Sequence, residues 1–249
     1  RKYAKMSRRM DRERKKMYNK NRVIKELKSA RPAAELFRYL ANAEDCVFLD
    51  SSLVNKLGRY SIIGLYPYLK LCKDDNGFYI NDQLETAVTF EDYLRIYLTE
   101  HVDQNKSGLP IVSGAVGYFS YEYGRKMMEV SSHKEDLVTI PDALLVFYDM
   151  YIIEDCHEKK TYLVANGVTE DAEKRIESVE EYLTESLKEK KQAPGWLFNI
   201  EVTPNFEKEE YKRAVDDMIR YIIEGDIYIT NMTQQLSVKS EKKPLDVFY

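Results

Sequence analysis

The chain has 249 residues, 44% of them apolar, with 38 basic and 42 acidic side chains and a formal net charge of -4. That composition excludes a disordered chain, a collagen-like repeat and a disulfide-stapled miniprotein, and the length allows one large domain or two small ones, each able to bury a core. Its three cysteines, Cys46, Cys72 and Cys156, are far apart and form no Cys-x-x-Cys pair, so neither a zinc site nor a disulfide framework is expected, and the expected location is cytoplasmic. No apolar run reaches membrane-spanning length and no stretch has the layout of a signal peptide, so no membrane association is expected.

Charge is uneven. Between Arg1 and Lys28 there are 13 Lys/Arg against three acids, which leaves 25 basic and 39 acidic residues for the rest. Arg8-Arg9, Arg12 and Arg14-Lys15-Lys16 cluster as phosphate-binding cations do, but no aromatic platform interleaves with them. Residues 1–22 therefore read as a basic, solvated N-terminal extension, and nucleic acid is not an expected partner.

In chain order, Pro32 suits a first helical turn, and Leu36, Phe37 and Leu40 share one face of a short helix ending near Asn42. Residues 46–50, 59–64 and 68–73 read as strands, with Asn76-Gly77 as a hairpin turn taking positive φ at both residues. Thr89-Phe-Glu-Asp92 has the form of a helix start, followed by Tyr93, Ile96 and Tyr97 on an apolar face. Residues 111–121 read as one long strand, in which Gly114 and Gly117 indicate a bulge or a close backbone approach. Residues 143–153 and 161–165 read as a hairpin, and 169–191 as a surface helix with Ile176, Val179, Tyr182 and Leu183 at helical spacing. A longer amphipathic helix carries Tyr211, Ala214, Val215, Met218, Ile219, Ile222 and Ile223, with Gly225 at its C-terminal cap, and a final strand runs from Ile227 towards Val238. The class is α+β, with mainly antiparallel sheets packed as a sandwich and flanked by helices.

Residue chemistry alone names no reaction. His101, His133 and His157 are scattered in polar, turn-like surroundings, and there is no His-Glu-x-x-His, no Gly-x-Ser-x-Gly and no phosphate-binding glycine loop.

Five longer strings are more specific. They are Phe48-Leu-Asp-Ser51; Gly58-Arg-Tyr-Ser-Ile-Ile-Gly64 with Pro67; Gly114-Ala-Val-Gly-Tyr-Phe-Ser-Tyr121 with Gly124-Arg125; Pro141-Asp142 to Tyr148-Asp149; and Glu224-Gly-Asp-Ile-Tyr228 with Asn231-Met-Thr-Gln234. In this order they resemble the N-terminal region of component I of aminodeoxychorismate synthase and of anthranilate synthase, two chorismate-binding enzymes. Tyr121-Glu-Tyr-Gly-Arg125 and the string from Tyr228 to Gln234 are similar to the aminodeoxychorismate branch, although Ile229 and Gln235 stand where that branch has Gln and Arg.

The resemblance implies a component I-like N-terminal domain over 23–192, a linker over 193–205 and the start of a chorismate-binding domain over 206–249, with about as much chain again expected to follow. In the intact enzyme a glutamine amidotransferase subunit supplies ammonia, Mg2+ holds the carboxylate of chorismate, and the implied product is 4-amino-4-deoxychorismate, on the route to 4-aminobenzoate and folate. Catalytic groups and Mg2+ ligands are implied for the absent half, so none is assigned here, and the chain alone is expected to be inactive and to expose the apolar face of residues 211–223. The alternatives are anthranilate synthase component I, of tryptophan biosynthesis, and a non-catalytic tryptophan-binding or subunit-docking module.

The resemblance also implies an amino-acid pocket at Asp50, Ser51, Tyr60 and Ser61, where a carboxylate pairs with the α-ammonium of tryptophan. Asp50 and Ser51 suit the end of a strand equally well. Asn231, Thr233 and Gln234 are placed on a strand lining the chorismate domain, as orienting groups or as structural polar residues.

Overall fold

The computed structural model describes residues 22–28, 31–131, 139–188 and 201–248. The extension before Arg22, His133 and the stretch 189–200 lie outside them. The chain divides into two compact units, Arg1–Glu189 and Lys190–Tyr249.

The first unit runs β1 (Val23–Glu26), α1 (Ala33–Leu40), β2 (Val47–Leu49), β3 (Tyr60–Asp74), β4 (Gly77–Ile80), β5 (Gln83–Glu85), α2 (Phe90–Glu100), β6 (Ala115–Phe119), α3 (Tyr121–Met127), β7 (Ala143–Asp155), β8 (Lys160–Ala165) and α4 (Ala172–Ser186). All eight strands join one antiparallel sheet in the order β1-β8-β7-β3-β4-β5, with β2 added to β3 and β6 to β7. The α+β class, with antiparallel pairing and flanking helices, is thus what the chain adopts. The expected sheets are joined because β3 and β7 run through both halves.

The strands expected at 59–64 and 68–73 are one strand, β3. Its register against β7 shifts between Pro67 and Leu69. Tyr66 takes a left-handed φ of 57°, and Pro67 has no N–H to donate, so the ladder is interrupted here without ending. Tyr148 and Tyr151 of β7 join the same core cluster, although strict alternation would send residues three apart to opposite faces.

Helices α1 and α4 pack on β1, β3, β7 and β8. Leu36, Ile176, Val179 and Leu183 are buried there, and Ile63, Ile152 and Leu163 of the sheet are fully enclosed, each burial contributing roughly 1.5–3 kcal/mol. Helix α2 lays Phe90, Tyr93 and Tyr97 on Leu69, Leu71, Phe78 and Phe147. The hydroxyl of Thr89 caps it, accepting the N–H of Asp92, as the sequence indicates.

Two local expectations change. Strand 111–121 shrinks to β6, because its partner β7 begins at Ala143 opposite Phe119, and Ser120 then caps a short helix, α3, by accepting the N–H of Tyr123. In the β3–β4 hairpin the turn residues are Asp75 and Asn76. The Asp74 carboxylate accepts the N–H groups of Asn76 and Gly77, so only Gly77 needs a positive φ, at 152°.

The second unit contains β9 (Val202–Pro204), α5 (Lys208–Glu224), β10 (Leu236–Val238) and α6 (Pro244–Phe248). Glu207 and Glu210 form a capping box on α5, and Gly225 ends it at φ 87°. No residue of α5 is buried, and Ile223 is 79% exposed. The strand expected from Ile227 is three residues long, because its partner among the described residues, β9, is only that long; β9 itself falls in the stretch read as linker. Among the described residues, no helix is long and apolar enough to cross a membrane.

Gly117 shows the predicted close backbone approach, since a Cβ there would lie 1.8 Å from the carbonyl oxygen of Leu144. Gly117→Ala is expected to cost about 3 kcal/mol in denaturant unfolding. Gly124→Ala, in α3 with open space around it, is expected to stabilise by about 0.5–1 kcal/mol.

Candidate functional site

Strand β2 ends at Leu49, paired with Ile62, so Asp50 and Ser51 continue alongside Ser61 and Tyr60. The pairing goes on through side chains. Ser51 N–H donates to Ser61 Oγ at 3.0 Å, Ser51 Oγ donates to the Tyr60 carbonyl at 2.7 Å, and Ser61 Oγ donates to Asp50 Oδ1 at 3.2 Å. Ser61 is buried and Asp50 is exposed. The structure thus brings all four residues of the sequence-predicted pocket together, and both serine hydroxyls are engaged in the strand tie. The second oxygen of Asp50 has no partner among the described residues, so Asp50 is the group of this set that is available to a ligand cation.

Sequence reasoning missed the supports around this set. Asp155, opposite Tyr60 in the ladder, is gripped by Arg59 through Nε at 3.1 and 3.2 Å and through Nη2 at 2.6 Å. It also accepts the N–H groups of His157 and Glu158, both at 3.1 Å, so one buried carboxylate shapes the β7–β8 turn. The guanidinium of Arg59 holds the Asp155 carboxyl below its ordinary range. Arg59 also lies 4.9 Å from the ring centroid of Tyr60. Cys156 Sγ is 3.8 Å from Ser61 Oγ, and burial pushes its thiol up. The signals were the acid opening the turn Asp155-Cys-His-Glu-Lys159 and the Arg inside Gly58-Arg-Tyr-Ser61; only the register pairs them.

Next to this set is a cavity of about 270 Å³ lined by Arg59, Tyr60, Asp155, Lys160 and Tyr162, with Gly108 among the covering loop. Tyr60, Asp155 and Lys160 stand in register on three adjacent strands. The cavity's cations and acids balance, Arg59 and Lys160 against Asp155 and Glu158, with Arg59 already paired to Asp155 and Lys160 3.8 Å from Glu26.

Asn231, Thr233 and Gln234 are exposed in an irregular segment between α5 and β10, so the strand expected to carry them does not form there. Tyr121-Glu-Tyr-Gly-Arg125 is the start of α3. Tyr123 donates to Glu91 of α2 at 3.0 Å, Glu91 pairs with Lys73 of β3 at 2.6 Å, and burial followed by the bond to Glu91 pushes the Tyr123 phenol up to about 12. This string clasps three elements. Among the described residues, no group of three or more His, Cys, Asp or Glu side chains is placed to hold a metal ion.

Residues 70–249 match the chorismate binding enzyme family, and the chain belongs to it. Relatives include anthranilate synthase component 1 of Acetivibrio thermocellus, 25% identical over 86% of this chain and 47% of that one. Another is the chloroplastic anthranilate synthase alpha subunit 2 of Arabidopsis thaliana, 27% identical over 78% of this chain and 36% of that one. The crystal structure of anthranilate synthase component I from Streptococcus pneumoniae TIGR4 superposes with a TM-score of 0.60 at 21% identity, covering 83% of this chain and 47% of that one. This likeness establishes the shared fold. The chain spans about half the length, or less, of these relatives.

Asp155→Asn is expected to cost about 2 kcal/mol at neutral pH, because a buried carboxylate loses its charge-assisted bonds. The folded-state carboxyl titrates below its unfolded value, so the stabilisation is present above about pH 4 and fades as pH falls through the folded value. Denaturant unfolding of both proteins along a pH series is expected to show the gap closing below about pH 4.

Proposed function

We propose that this chain forms the N-terminal part of a component I synthase that aminates chorismate. The observation that carries the proposal is membership of the chorismate binding enzyme family across residues 70–249. The branch proposed is aminodeoxychorismate synthase, giving 4-amino-4-deoxychorismate for 4-aminobenzoate and folate synthesis, and it is supported by Tyr121-Glu-Tyr-Gly-Arg125 and the Tyr228 to Gln234 string. The second reading is anthranilate synthase component I, favoured by the names of the relatives. Ammonia is proposed to come from a glutamine amidotransferase subunit.

The residues of this chain are proposed to bind and orient. Asp50 pairs with the α-ammonium of an amino acid, tryptophan being the candidate, and Ser61, itself held by the Ser51 N–H, holds the Asp50 carboxylate in place. Magnesium finds no ligand cluster among the described residues, so no step is assigned to it on this chain.

Chorismate, ammonia and magnesium are to be supplied to the chain alone and to the chain mixed, in separate reactions, with the C-terminal part of an aminodeoxychorismate synthase component I and of an anthranilate synthase component I. Amination is expected only on mixing, with the aminodeoxychorismate partner restoring the larger share of activity. Better complementation by the anthranilate partner selects the second reading, and no amination from folded pieces in either pairing overturns both. Ser61→Ala is expected to weaken tryptophan binding by about tenfold in calorimetry, since it frees Asp50 and leaves the Ser51 N–H without its acceptor.

A further inference from the structure

A second cavity, of about 280 Å³, lies within the first unit and shares no residue with the Asp50 set. It sits beyond the irregularity of β3, where α2 crosses the sheet. Three rings wall it. Tyr97 of α2 lies 4.9 Å from Phe147 of β7 at 64°, and Tyr68 of β3 lies 6.2 Å from Phe147 at 49°. His101 extends the wall by stacking on Tyr97 at 4.0 Å.

The lip is polar and fixed. Arg22 Nε donates to Asn166 Oδ1 at 2.8 Å, Arg22 Nη2 is bonded to Asp103, and Ser113 Oγ donates to the same Asp103 oxygen at 3.1 Å. These bonds orient the guanidinium and leave Arg22 Nη1 without a partner among the described residues. A ring-walled hollow whose lip carries a guanidinium paired with Asp103 through Nη2 and open at Nη1 narrows the ligand classes. An aliphatic anion would not use the rings, an organic cation would face Arg22, and an uncharged ring would forgo the charge-assisted bond.

We propose that this cavity binds a single-ring aromatic carboxylate, with its ring among Tyr68, Tyr97 and Phe147 and its carboxylate on Arg22 Nη1. A preference for aminobenzoates within this class rests on the proposed function, since 4-aminobenzoate lies downstream of its product, 4-amino-4-deoxychorismate, and 2-aminobenzoate is the product of the second reading; the site itself does not.

The test is calorimetric titration of the whole 249-residue chain with benzoate, 2-aminobenzoate, 4-aminobenzoate and the uncharged isostere benzamide. One-to-one saturable binding is expected, with the carboxylates about tenfold tighter than benzamide. Arg22→Gln is expected to erase that difference while benzamide binding stays as it was. Val168→Trp, which fills the cavity, is expected to abolish binding of all four, and Asp50→Asn to change none. Circular dichroism checks that each variant is folded, and should Val168→Trp not fold, Arg22→Gln carries the test. Absence of saturable binding at millimolar ligand, benzamide binding as tightly as benzoate, or an unchanged preference in Arg22→Gln overturns the proposal. Because no readout involves turnover, a failed amination assay leaves it standing, and aminobenzoates binding no better than benzoate removes only the aminobenzoate preference.

Discussion

The pairing of β3 with β7 is the constraint on which the first unit depends. From Tyr60 opposite Asp155 to Leu65 opposite Met150 it sets one half of the sheet, and from Leu69 opposite Phe147 to Lys73 opposite Ala143 it sets the other. The first half receives β2 and so brings Asp50 and Ser51 to Ser61. The second half receives β4 and β6 and gives α2 the surface on which Tyr97 meets Phe147. The break at Tyr66 and Pro67 lets one pair of strands serve both halves, and it is braced from outside. Arg175 of α4 stacks its guanidinium 3.8 Å above the ring of Tyr66, the residue in the left-handed conformation.

Buried acids in β7 or just before it tie that strand to the segments around it. Asp149 accepts the N–H groups of Val168 and Thr169 and the hydroxyl of Thr169. Asp142 pairs with Lys126 of α3, and Asp155 combines Arg59 with two turn amides. Each carboxylate is buried with its hydrogen bonds made, which is the condition under which a buried charge is tolerable. Polar groups thereby fix the approach of loops that have few apolar contacts of their own.

The strings that carry the family resemblance have, to a large extent, these structural duties. Gly117 lets two strands approach, Ser51 and Ser61 extend a ladder, Tyr123 clasps α3 to α2, Asp142 holds Lys126 of α3, and Asp149 anchors the loop at Val168 and Thr169. Such residues build the fold, and the resemblance that they carry is one of scaffold.

The sequence alone determined the elements whose signals are local. Helix starts at Thr89, the glycine stop at Gly225, the Ala143 to Ala165 hairpin and the core faces of α2 and, apart from the exposed Tyr182, α4 were legible because spacing and capping act within a few residues. The α+β class and the juxtaposition of Asp50, Ser51, Tyr60 and Ser61 were legible too, the second through resemblance. Tertiary structure alone decided that two short strands are one long one, that residues 121–127 form a helix and that residues 231–234 form no strand. It also joined Arg59 to Asp155, 96 residues away, and Arg22 to Asp103, 81 residues away. The reason is physical: strand length, register and ion pairing depend on which partner the other chain segment offers, and no local pattern of residues contains that partner.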